Sequence, residues 1–182
     1  TVFRDQCFSG DMNSQAVQRI DDVRALRAFQ FPEDAGPMSH PIRPSSFVKI
    51  DNFYTATVYN KGAEVIRMMH TLLGADGFRK GTDNYFERFD GQAETTEDFV
   101  DAMETANGVD FNQFKNWYNQ SGTPTVKANG VYDADHQTYT LTLSQHTPPT
   151  AGQDEKAPFV VPVRMGLLDG SGADMALSLA GE

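Results

Sequence analysis

A change of hydrophobic period at Thr123 constrains this chain more than any other feature. Before it, apolar residues recur three and four apart, as on one face of a helix. From Thr125 onwards apolar and polar residues alternate, as on a half-buried strand. Val126, Ala128 and, after Gly130, Val131 are followed by Tyr139, Leu141 and Leu143, set against Thr138, Thr140, Thr142 and Ser144. Asp133-Ala134-Asp135-His136 supplies the turn between them. Residues 146–156 form a loop rich in Pro and Gly. A third strand is expected over residues 159–168, at an edge because Pro158 and Pro162 cannot serve a ladder as donors. Asp169-Gly-Ser-Gly172 then turns the chain into a short last strand. The fold class is therefore α+β: an all-helical segment over residues 1–122, then the beginning of a β-sandwich over residues 123–182. No internal repeat is visible.

Within the helical segment, residues 1–8 form the tail of a helix that Ser9-Gly10-Asp11 breaks. Asn13 or Ser14 caps the next one, with Val17, Ile20, Val23 (or Arg24), Leu26 and Ala28 as its apolar face. Residues 31–44 hold Pro32, Pro37, Pro41 and Pro44, and each biases its predecessor away from helix, so this stretch reads as a loop pinned by His40 and Arg43. Gly74 is a helix stop. Residues 75–89 make a further helix with Phe78, Tyr85 and Phe86 inward. Thr95 or Thr96 caps residues 97–105, whose apolar face is Phe99, Val100 and Met103; Thr95 with Asp98 has the form of a capping box. Asp110 starts a last helix that buries Phe111, Phe114, Trp117 and Tyr118 and closes at Gly122.

Charge and cysteine content exclude several classes. The formal charge of −10 opposes a nucleic-acid or anionic-membrane surface, both of which want a basic patch. Cys7 is the single cysteine, so no intrachain disulfide forms; a reducing, cytoplasmic compartment fits. No apolar run reaches the length of a membrane span, and no leader of the charged-then-apolar kind is present. The chain opens at Thr1 without Met, in what already reads as helix, and so looks like an excised piece.

The most informative stretch is residues 51–74. From Val58 the apolar residues fall at Val65, Ile66, Met69, Leu72 and Leu73, one stripe of a helix, with Gly62 in the place where the stripe would have a member at i+4. Asn60, Glu64 and Arg67 lie opposite, on the wet face, which turns Glu64 away from Tyr59 and leaves it a solvated role. Tyr59 lies on the stripe's edge beside Ala63, Ile66 and His70, where a packed ring can present its hydroxyl to a cleft.

Tyr59-Asn60-Lys61-Gly62-Ala63 resembles the Tyr-x-Lys-Gly-Ala signature of the gluzincin aminopeptidases, and the longer run is similar to their bacterial aminopeptidase N (alanyl aminopeptidase) branch. Further matches follow in the same order: Thr1-Val-Phe-Arg-Asp-Gln, His40-Pro-Ile-Arg-Pro44, Asn52-Phe-Tyr-Thr55, Ser121-Gly-Thr-Pro124, and residues 139–147 on to Leu168. The resemblance implies that residues 1–122 are the C-terminal part of a thermolysin-like catalytic domain and that the β-sandwich is Ig-like. It also implies zinc-dependent removal of N-terminal residues from peptides by the parent protein. By match to the motif, Tyr59 is the catalytic group, donating to the oxyanion formed when zinc-bound water attacks the scissile carbonyl. Asp51 and Tyr54 match substrate-binding positions near the S1 pocket, and Val2 one near S1′.

The family's zinc motif, H-E-x-x-H, is not in this sequence. The histidines are His40, His70, His136 and His146, and none precedes a Glu. The resemblance places Thr1 just after the family's third ligand, a Glu, and the G-x-M-E-N motif further upstream. No native zinc and no peptidase activity are thus expected of the fragment itself. Removal of the first zinc helix is expected to uncover apolar side chains on residues 2–8 and along the stripe, so that the fragment self-associates. The competing reading is a non-catalytic helical and β-sandwich interaction module of shared ancestry.

Overall fold

The computed structural model describes residues 1–179. Helices α1 (Val2–Met12) and α2 (Gln15–Ala25) open the chain, and α2 runs through a π-helical turn, Leu26–Gln30, into α3 (Phe31–Ala35). After an irregular stretch and a 3₁₀ turn at Ile50–Phe53, a second π turn, Thr57–Lys61, leads directly into α4 (Gly62–Phe89). Helices α5 (Thr96–Asn107) and α6 (Asn116–Asn119) precede an antiparallel hairpin of β1 (Thr125–Asp133) and β2 (Thr138–His146).

Several boundaries follow from local chemistry. Ser14 is the cap of α2, its Oγ accepting the Val17 N–H. At α5, Thr95 Oγ1 accepts the Asp98 N–H while Asp98 Oδ2 accepts the Thr95 N–H, a reciprocal box. Gly74 takes φ 69°, ψ 171° and kinks α4 into two pieces, a backbone region that a residue with Cβ resists. In the hairpin, Tyr132 pairs with Tyr139 and Gly130 with Leu141. A Cβ at Gly130 would collide with the phenol of Tyr139, so the glycine lets that ring cross the sheet. Val131 pairs with Thr140, placing it on the opposite face from Ala128 and Leu143.

Other expectations are corrected. Ser9-Gly10-Asp11 does not break α1, which continues to Met12; buried Gly10 instead gives room to Gln15, whose Cγ lies 3.3 Å from where a Cβ would stand. The loop expected from residue 31 is helical through Ala35, because Pro32 occupies the first turn of α3, where its missing N–H is tolerated. The last helix has only the four residues of α6; residues 112–115 form turns, although Phe111, Phe114 and Tyr118 are buried as expected. Residues 159–168 join no ladder: an isolated bridge, Leu168 with Asp174, is what survives of the third and last strands. The two prolines and the lack of a neighbouring strand among the described residues account for it. Val17, Ile20 and Phe86 are exposed, not inward. Glu64 and Arg67 are half-buried, not solvated, because α2 covers that face. Arg19 grips Glu64 through both nitrogens at 2.6 and 2.8 Å, and Arg67 donates to Gln6 and Asp22.

The core joins Val65 and Met69 of α4, Val100 and Met103 of α5, and Phe111, Phe114 and Tyr118. Gly81 lets α5 approach: a Cβ there would collide with Met103 Sδ and lie 3.2 Å from its Cα. Trp117 ties the helices to the chain beyond the hairpin, stacked on Phe159 at 4.2 Å and donating to the Val160 carbonyl at 2.8 Å.

Candidate active site

The π turn Thr57–Lys61 is the element that positions the candidate catalytic residue. In it the Gly62 N–H reaches back five residues to the Thr57 carbonyl, so the turn holds one residue more than an α-helical turn. Tyr59 sits at its middle, 42% exposed, while Thr57 and Lys61 at its ends are buried. The phenol ring stacks on Tyr54 with centroids 5.8 Å apart and planes 29° from parallel. Both tyrosines face an open groove of about 1030 Å³.

Four segments wall this groove: the start of α1 with Val2 and Phe3, the 3₁₀ turn with Ile50 and Phe53, the π turn with α4, and Phe99 of α5. The walls are largely apolar; the hydroxyl-bearing residues along them are Tyr54, Tyr59, Tyr85, Thr82 and Thr1, and the Thr82 hydroxyl donates to the Phe78 carbonyl at 2.6 Å. The chain thus brings together three of the four residues read from the sequence, Val2, Tyr54 and Tyr59. Asp51 is exposed on the 3₁₀ turn and is not part of the lining.

His40 and Arg43 hold the surrounding loop. The His40 Nδ1–H donates to the Met38 carbonyl at 2.8 Å, which leaves Nε2 to accept from Thr55 Oγ1 at 2.9 Å. Thr55 Oγ1 in turn accepts the Val58 N–H at the entry to the π turn. Arg43 pairs with Glu97 of α5 and donates to Asn119 at the end of α6.

A second polar centre was not read from the sequence. Lys61 Nζ donates to Asp34 Oδ2 at 2.7 Å and to the Gly122 carbonyl at 3.0 Å. Asp34 also accepts from Gln30, Ser39, the Gly122 N–H and Thr123 Oγ1. Burial pushes the Asp34 carboxyl up, but the Lys61 charge and these hydrogen bonds outweigh it and hold the group below the usual carboxylate range. Burial draws Lys61 below the ordinary lysine value, partly offset by Asp34. The signal that could have revealed Asp34 is Phe31-Pro32-Glu33-Asp34 itself, Pro followed by acids being a helix start.

The residues described do not fit a zinc centre. No group of three or more His, Cys, Asp or Glu side chains converges among them. His70 packs against Phe3 and Phe78, and His136 bonds Asp133 in the hairpin turn.

Comparison with known proteins decides the family. Residues 1–118 match the peptidase family M1 domain. The chain belongs to peptidase family M1. Residues 122–180 match a domain of unknown function (DUF3458) with an Ig-like fold, so the M1 helices are followed by Ig-like β structure, of which β1 and β2 are the paired strands among the described residues. The chain is 56% identical to aminopeptidase N of Haemophilus influenzae over 182 residues, and 54% identical to aminopeptidase N of Escherichia coli over 181; each match covers 100% of this chain and 21% of the relative. It therefore spans about a fifth of the length of these M1 relatives. Among solved structures, aminopeptidase A of Legionella pneumophila in complex with aspartic acid superposes with a TM-score of 0.74 at 27% identity, covering 96% of this chain and 18% of that one.

Proposed function

We propose that this chain is one part of a zinc-dependent M1 aminopeptidase that hydrolyses N-terminal residues from peptides, and that Tyr59 is its oxyanion donor. The observation that carries the reading is the placement of Tyr59 at the centre of a π turn, its ring held by Tyr54 and facing a groove. A fixed phenol O–H aimed at developing negative charge stabilises the transition state more than the ground state; loss of such a donor costs about 10²–10³ in rate. Tyr54 and Val2 would form apolar wall on either side of the bound peptide, and exposed Asp51 would act from the rim. The zinc supplies the attacking water in such enzymes; no group of ligands for it converges among the described residues, and this chain alone would be inactive. The helical segment would end, and the β-sandwich begin, at residues 122–123.

The same reading places the protein in the cytoplasm, which its lone, exposed Cys7 suits, and no helix of the described residues is long and apolar enough to cross a membrane. Peptides would be its substrates, and nucleic acid and membranes would not be partners. Isolated from the remainder of such an enzyme, the chain would self-associate through Phe8 of residues 2–8 and Leu72 of the α4 stripe, both exposed; Val65 and Met69 of that stripe are packed in the core and not uncovered. The test is hydrolysis of an alanine arylamide by the full-length protein with zinc. Cleavage of the free-amine substrate but not its N-acetyl form supports the reading; no cleavage of either supports an interaction module instead.

A further inference from the structure

Both ends of the π turn that carries Tyr59 are gripped by one five-residue stretch, Gln30–Asp34. At the first end, Glu33 Oε1 accepts the Thr57 N–H at 2.8 Å and Gln30 Nε2 donates to Thr57 Oγ1 at 3.4 Å. At the last end, Asp34 Oδ2 accepts from Lys61 Nζ at 2.7 Å. Gln30 also donates to Asp34 at 3.2 Å, which joins the two grips into one network. Thr57, Gln30 and Asp34 are all buried, so these bonds face little competition from water.

The geometry points to Gln30, Glu33 and Asp34 as positioning residues for Tyr59, a role that rests on the catalytic reading of that tyrosine. A π turn is an uncommon backbone form with one residue more than an α-helical turn. Relaxation to α geometry would rotate the preceding residues by about 100° relative to α4 and would carry the phenol along the groove wall. Fixing Thr57 and Lys61 together prevents that rotation while leaving Tyr59, between them, free to meet substrate. None of the three clamp residues lines the groove, so they act only through the turn.

The test is a double-mutant cycle in the full-length protein with zinc, reading kcat and KM on an alanine arylamide. Glu33→Leu removes the acceptor for the Thr57 N–H, and the expected result is a fall in kcat of about 10- to 100-fold with KM within about 2-fold. Glu33→Gln keeps an acceptor and is expected to retain activity within about 3-fold. In a Tyr59→Phe background, Glu33→Leu is expected to add less than about 2-fold, because the group being positioned is gone. Thr57→Val, which deletes only the hydroxyl that Gln30 meets, carries the same comparison if Glu33→Leu does not give a wild-type circular dichroism spectrum. An equal factor in both backgrounds, or wild-type kcat in Glu33→Leu while Tyr59→Phe is impaired, would overturn the clamp and leave the Tyr59 reading intact. Wild-type kcat in Tyr59→Phe would overturn the catalytic reading, and the clamp's purpose with it.

Discussion

Replacing Lys61 by Met tests what holds the π turn to the rest of the chain. The Lys61 ammonium and Asp34 carboxylate are 2.7 Å apart; at an effective dielectric of about 20 their attraction is about 6 kcal/mol. Much of this is offset by the several kcal/mol needed to take each ion out of water. In Lys61→Met the second penalty vanishes, but Asp34 remains buried with only uncharged donors: Gln30, Ser39, the Gly122 N–H and Thr123. The expected loss is about 3 kcal/mol, the lower part of the usual range for breaking a buried pair. Asp34→Leu strands the ammonium and orphans those donors, and its expected cost is about 5 kcal/mol. The double variant is expected to cost at least about 2 kcal/mol less than the sum. Urea unfolding followed by fluorescence suits the question, because Trp117, the single tryptophan, lies 5.9 Å from Lys61 Nζ. Single variants within 1 kcal/mol of wild type, or strict additivity (about 0.5 kcal/mol or less), would refute the reasoning.

The pH dependence has a definite sign. Asp34 titrates below its ordinary value when folded, so the unfolded chain takes up the proton first as pH falls. The stability from this group is present above the unfolded carboxylate value of about 3.9 and is lost as pH drops through the folded one; Lys61→Met should flatten that acid limb in urea titrations repeated from pH 6 to pH 2. Gly81→Ala forces a methyl against Met103 and is expected to cost about 1–3 kcal/mol by thermal unfolding. Thr95→Ala removes the cap of α5 and should cost about 1 kcal/mol in the same assay, whereas Thr96→Ala should be near neutral. Light scattering of the 182-residue chain is expected to show a mass that grows with concentration; a monomer at every concentration would count against self-association.

Period and cap chemistry made much of this fold legible. Alternation from Thr125 to Ser144 foretold a hairpin that the ladder reproduces, and Thr95 marked a cap that the backbone adopts, whereas Gly74, read as a helix stop, is a kink inside α4. Both π turns were invisible, because a wheel drawn at 100° per residue has no place for an extra residue. Pro32 misled in the same way, since the residue that ends one helix can open the next. Glu64 and Arg67 looked like a solvated face because ionic residues that pair with others across α2 and α4, here Arg19 and Asp22, are indistinguishable, in a single sequence, from residues facing water. Asp34 went unread for a related reason: its partners lie 27 and 88 residues away along the chain.

The most direct measurement is steady-state hydrolysis of an alanine arylamide by the full-length protein with zinc, wild type against Tyr59→Phe. The account predicts a fall in kcat of about 10²–10³ with KM nearly unchanged, the mark of a hydrogen bond made in the transition state. Unchanged kinetics would contradict it and return Tyr59 to the role of a packing residue on Tyr54.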